Sequence, residues 1–151
     1  HVNSSGAAFM IGGYDPLAWN SSGTYNIDPT NAGRTAFIFN LTNNTMQAQD
    51  LLSVLNSGQY QTLNDASLGP TFGGGADIQV GTNLNSGSLY AYSYGSGFNL
   101  LGDVTGTNTL VTYDSVDVFK FTPAPTPEPL TLLIGASGAA LFLRRRVRAR
   151  A

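Results

Sequence analysis

The sequence predicts a mainly β protein: an antiparallel β-sandwich with one or two short helices, followed by a Pro-rich linker and a short hydrophobic helix. Three observations predict it. Apolar runs of strand length alternate with clusters of Gly, Asn, Asp and Ser, residues that stop strands and shape turns. Charged residues are only 11% of the chain while 18 residues are Gly, a balance that suits turn-rich β structure better than helices. At Phe121 this pattern ends abruptly in prolines, then an uncharged apolar run, then arginines. With 151 residues the chain has room for one domain with its own core plus a tail.

The expected strands are residues 7–12, 35–41, 76–80, 88–94 and 116–121, each apolar enough to cover a core and bounded by turn residues. Turns are expected at residues 20–23, at Asp28 with Pro29, and at 95–97. A short helix is expected over residues 45–55, where Met46, Leu51, Leu52, Val54 and Leu55 precede a stop at Asn56 and Gly58. Gly73, Gly74 and Gly75 read as a tight turn or bulge, or as a loop opened for a ligand. They do not form a phosphate loop, since no Lys-Ser or Lys-Thr follows.

Charge is unevenly placed. Five of seven basic residues (Arg144, Arg145, Arg146, Arg148, Arg150) lie in the last eight positions, which leaves Arg34 and Lys120 against nine acids, a net charge of -7 for residues 1–143. Such a body lacks the basic patch that nucleic acid requires, so no nucleic-acid partner is expected. Without cysteine and with His1 alone at the terminus, neither thiol nor Ser-His-Asp chemistry can be assembled, and no metal or other cofactor is expected. The residues after His1 lack the basic start and apolar run of a signal peptide, so the native N-terminus is expected to be missing.

The tail carries the most specific signal. Residues 122–129 hold four prolines and read as an extended linker. Residues 130–143 are fourteen uncharged positions, led by Leu130, Leu132, Leu133 and Ile134 and closed by Leu141, Phe142 and Leu143. As a helix this run would be about 21 Å long against a hydrocarbon core of about 30 Å, a marginal anchor that snorkelling arginines could extend. The arginines of residues 144–151 would stay in the cytoplasm and the body would lie outside. Linker, Pro127-Glu128-Pro129, apolar run and terminal arginines, in that order, resemble the PEP-CTERM sorting signal of exported bacterial proteins. The resemblance implies processing by an exosortase, transient anchoring in the inner membrane through the apolar helix, and release to the cell surface or extracellular matrix.

Residues 7–121 carry a second resemblance. Gly12, Gly13 and Tyr14, then Trp19, then residues 36–42, then Gly69, Pro70, Phe72, Gly73, Gly74, Gly75 and Asp77 stand in the order and spacing of the TLDc domain. That family resemblance implies a β-sandwich with a few short helices, incomplete here at its N-terminus, and a link to oxidation resistance and to the vacuolar proton ATPase in eukaryotes. The family usually has His-Asp after the glycines, where this chain has Ala76 and Asp77.

These readings lead to a non-catalytic, TLDc-like binding or structural domain at the cell surface, with an exopolysaccharide or a surface protein as partner. An alternative is a carbohydrate-binding module built on Tyr14, Trp19, Tyr25, Tyr90, Tyr92 and Tyr94, although Tyr90, Tyr92 and Tyr94 on one strand would equally make a cross-strand packing row, and Trp19 reads as core. A hydrolase of surface polymers would need two converging carboxylates. The aspartates instead sit beside turn residues, where capping is their expected role.

Overall fold

The computed structural model describes residues 1–52, 57–95, 97–103 and 108–121. The expected linker, the sorting motif, the apolar run and the terminal arginines lie outside the described residues. His1–Asp117 form one compact unit; of the second, Val118–Ala151, only residues 118–121 are described, outside any strand and exposed.

The strands are β1 (Val2–Ser4), β2 (Ala7–Phe9), β3 (Ile11–Tyr14), β4 (Tyr25–Ile27), β5 (Phe37–Asn40), β6 (Thr45–Ala48), β7 (Tyr60–Leu63), β8 (Thr71–Phe72), β9 (Ile78–Val80), β10 (Ser86–Leu89) and β11 (Thr109–Tyr113). They form two antiparallel sheets, one of eight strands in the order β2-β1-β11-β10-β9-β8-β7-β4 and one of three in the order β3-β5-β6. The mainly β, antiparallel architecture read from the sequence is therefore present.

Period-2 alternation gives the large sheet two unlike faces. Register places Val2 opposite Tyr113, Val111 opposite Gly87, Gly87 opposite Val80, and Leu89 opposite Ile78, so the apolar side chains share one face. That face meets Ala36 and Ile38 of the small sheet's layer, with Phe72, Tyr94 and Leu100, in a single core; Phe9, Ile11, Leu101 and Val116 pack against its margin. Two layers closed over one core make the arrangement sandwich-like.

Four expectations are corrected. Residues 7–12 do not form one strand: the chain bends at Met10 and passes from the large sheet into the small one. There Met10 accepts from the Leu41 amide at 2.8 Å and its own amide donates to the Thr42 hydroxyl at 2.9 Å. The helix expected over 45–55 begins instead as β6, because Asn44 adopts φ +53° and folds residues 41–44 into a hairpin loop that lays Thr45 opposite Asn40; residues 53–55 of that expectation lie outside the described residues. The helical structure present among the described residues is a 3₁₀ turn at Ser57–Gln59. The strand expected over 88–94 stops at Leu89, and that over 116–121 is absent. Val118, Phe119 and Phe121 are all exposed, and the core place assigned to them belongs to β11.

Candidate functional site

The glycine block turns around a buried carboxyl, that of Asp77. Asp77 is fully buried, and its Oδ1 accepts three consecutive backbone amides, from Tyr92 at 2.8 Å, Ser93 at 2.9 Å and Tyr94 at 3.0 Å, while Oδ2 accepts Ser93 again at 3.1 Å. Desolvation pushes the carboxyl up to about 6, against the pull of those three amides towards the ionised form. The glycines make room for it. Gly73 has φ +79°, and a Cβ there would lie 1.9 Å from Asp77 Oδ2. The Gly74 amide donates to the Ser93 hydroxyl at 2.8 Å, and the Gly73 amide donates to the Gln61 carbonyl at 2.9 Å. Residues 73–76 are thus the tight turn the sequence allowed, wrapped around a carboxyl that ties it to residues 92–94.

Two of the TLDc-like positions, Gly13 and Trp19, meet on a third, Phe72. Gly13 faces inward, and a Cβ on it would sit 2.7 Å from the Phe72 ring. Trp19 packs edge-on against the same ring at 5.6 Å between centroids, and Tyr94 at 6.4 Å. Gly69 and Pro70 bracket Val80: the Gly69 amide donates to its carbonyl at 2.9 Å and the Val80 amide donates to the Pro70 carbonyl at 3.0 Å. Gly12 and Tyr14 point to the other side of the small sheet, where the Phe39 ring covers Gly12 and Tyr14 lies 5.4 Å from Phe37. The core position expected for Trp19 is corrected, since 39% of it is exposed.

The loop carrying Trp19 is held by a polar network that the sequence reading missed. Asp15 Oδ2 accepts from the Thr62 hydroxyl and from Asn26 Nδ2; Asn64 Nδ2 donates to Asn26 Oδ1 at 2.8 Å, and Asn64 Oδ1 accepts the Asn20 amide at 3.0 Å. Asn26, Thr62 and Asn64 are buried, so each polar atom needs such a partner. The signal lay in the density of Asn and Thr within the apolar segments that became β4 and β7.

The aromatic set proposed for sugar stacking is dispersed. Tyr25 packs on Tyr60 at 4.7 Å and donates to the Gly74 carbonyl, Tyr94 is buried with its hydroxyl donating to the Gln61 carbonyl at 2.6 Å, and Tyr90 and Tyr92 lie beyond β10 in the segment that caps Asp77. The cross-strand row expected of Tyr90, Tyr92 and Tyr94 does not form, because Asp77 turns that backbone inward. Other carboxylates serve turns. Asp28 accepts the Thr30 amide and hydroxyl, and Asp65 the Ser67 hydroxyl and amide, contacts that hold both acids below the usual carboxylate range.

The outward face of the large sheet is polar and concave. Asn3 pairs with Thr112, Thr112 with Ser86, Leu110 with Ser88 and Ser88 with Gln79, so these side chains share the face opposite the core. A groove of about 780 Å³ runs over them between the Ser4–Ser5–Gly6 turn and the Gly81–Ser86 turn, and among the described residues none that lines it is charged. A smaller hollow of about 370 Å³ lies on the small sheet beside Phe37, Phe39, Leu41 and Met46. No family model, no curated protein and no solved structure matches this chain.

Proposed function

We propose that residues 1–121 are a non-catalytic, TLDc-like binding domain of an exported bacterial protein, and that residues 122–151 are its exosortase-processed sorting signal. The observation that carries the non-catalytic reading is the state of Asp77. It is the described carboxyl whose pKa is raised towards the range useful for general acid-base work. Yet its oxygens are turned to Tyr92, Ser93 and Tyr94 amides, and it lines neither groove. Its chemistry is spent inside the fold. The packing of Gly13 and Trp19 on Phe72 supports the TLDc-like reading, because three positions of the motif then share one packing role.

The sorting reading rests on the order of linker, Pro127-Glu128-Pro129, apolar run and arginines. Glu128 is the single charge of the linker, and a proline on either side is a sequence that favours extended backbone, which suits presentation to an enzyme groove at the membrane surface. The partner is an exopolysaccharide or a surface protein. The test is Glu128→Ala, in a host that carries an exosortase and with the chain expressed behind a secretory leader. The variant is expected to stay with the inner membrane while the parent reaches the medium or cell surface; equal distribution of both would overturn the sorting role.

A further inference from the structure

The groove on the large sheet is the least ordinary surface of the body. Its floor spans β1, β11, β10 and β9, three inter-strand steps of about 4.8 Å each, or roughly 14 Å across. Asn3, Thr112, Ser86, Ser88 and Gln79 supply hydroxyls and carboxamides, which donate and accept alike. Leu110 stands among them, 75% exposed, as an apolar patch in the middle of the polar floor. Asn3 is steadied at one margin by donating to Asp114 Oδ2 at 2.6 Å, and Ser88 donates to Gln79 Oε1 at 3.2 Å.

This chemistry selects its occupant. Among the described residues the lining holds no basic side chain, and residues 1–121 carry two basic residues against eight acids, so an anionic ligand would be repelled; a cation would find a carboxylate only at the margin, where Asp114 Oδ2 is already engaged by Asn3. A protein partner is a poor match, because protein interfaces favour aromatic residues, Met and Arg over Ser, and none of those three classes lines the groove. A neutral chain of hydroxyl-rich rings fits. Its edges offer donors and acceptors to the Ser, Thr, Asn and Gln side chains, and its C–H faces cover Leu110. The volume falls within the range of small-molecule sites, about 300 to 1,000 Å³. We infer that this groove binds a neutral polysaccharide, a site distinct from the tyrosines and Trp19. The inference rests on the binding-domain reading above and names that domain's ligand class.

Affinity electrophoresis of the full chain through gels containing a neutral glucan, mannan or galactan, or a polyuronate, tests it. Retardation is expected in at least one neutral gel and not in the polyuronate gel. Thr112→Glu and Leu110→Glu, both at exposed positions, should weaken retardation at least about tenfold. Thr112→Val, which keeps the shape and loses the hydroxyl, should weaken it less, and Met46→Glu on the small sheet should leave it unchanged. Circular dichroism on each variant separates lost binding from lost folding. Absence of retardation in every neutral gel, retardation by polyuronate alone, or retardation untouched by both Glu variants would overturn the assignment. Release of new reducing ends from any of these polymers would instead overturn the non-catalytic reading and leave the groove as a binding cleft.

Discussion

Replacing Asp77 probes the joint between the glycine turn and residues 92–94. In Asp77→Ala, three amide donors lose their acceptor, two of them in the fully enclosed Ser93 and Tyr94. At about 1 to 3 kcal/mol per orphaned buried donor, with some relief from water entering the vacated space, the loss is roughly 3 to 5 kcal/mol. That is a large share of a typical stability of about 5 to 15 kcal/mol. Asp77→Asn keeps Oδ1, which receives all three amides, and replaces only Oδ2 near Ser93, so below about pH 4, where the wild-type carboxyl is protonated, it should cost about 1 kcal/mol. The pH dependence follows from burial. The unfolded carboxyl titrates near 3.8 and the folded one near 6, so between those values the unfolded chain gives up a proton that the folded chain keeps. The Asp77 contribution is full below about pH 4 and is lost as pH rises through 6, a change of about 3 kcal/mol. Asp28 and Asp65 act with the opposite sign: their carboxylates, held low by Thr30 and Ser67, stabilise above about pH 4 and lose that effect in acid. Urea unfolding of wild type and Asp77→Asn, followed by circular dichroism from pH 3.5 to 7, removes the shared background. The difference between them should fall by about 3 kcal/mol from low to high pH. A flat difference, or Ala and Asn variants of equal stability, would refute the argument.

Three further outcomes are expected. Gly73→Ala places a side chain at φ +79° and a Cβ 1.9 Å from Asp77 Oδ2, and should lower stability by about 2 kcal/mol or more in the same urea assay. Asn64→Ala releases Asn26 and the Asn20 amide, costs about 1 to 3 kcal/mol, and should shift emission of the single Trp19 to the red as its loop lifts from Phe72. Ile38→Ala empties a fully buried position and should cost about 2 to 5 kcal/mol, whereas Met46→Ala, on a residue 67% exposed, should stay within about 0.5 kcal/mol.

Turn chemistry was the most readable layer of the sequence. Gly23, Gly73, Gly95 and Gly97 all adopt positive φ at expected turns, and Asn20 and Asp28 accept amides two residues on. Strands with strong apolar runs were readable too, as at β5 and β9. The segment Thr109–Tyr113 was overlooked although it alternates cleanly, with Val111 and Tyr113 inward and Leu110 and Thr112 outward. Its short apolar content looked weaker than the run at Val116, which tertiary pairing leaves outside the sheet. At residues 45–48 the hairpin at Asn44 and the pairing with β5 overrode the helix pattern. The candidate groove was hidden for another reason: Asn3, Gln79, Ser88 and Thr112 are far apart in sequence, and strand order alone makes them neighbours. Asp77 could be singled out by its motif, but the three amides that enclose it come from a segment that read as a strand.

Delivery of the proposed binding domain to the outside of the cell by residues 122–151 can be read from intact mass spectrometry of fractionated cells. The gene, with its native N-terminus, is expressed in one host with and without exosortase. Loss of the residues after about Pro129, with the body outside the cell only when exosortase is present, is the predicted result. A full-length chain in the soluble cytoplasm of both hosts would contradict it.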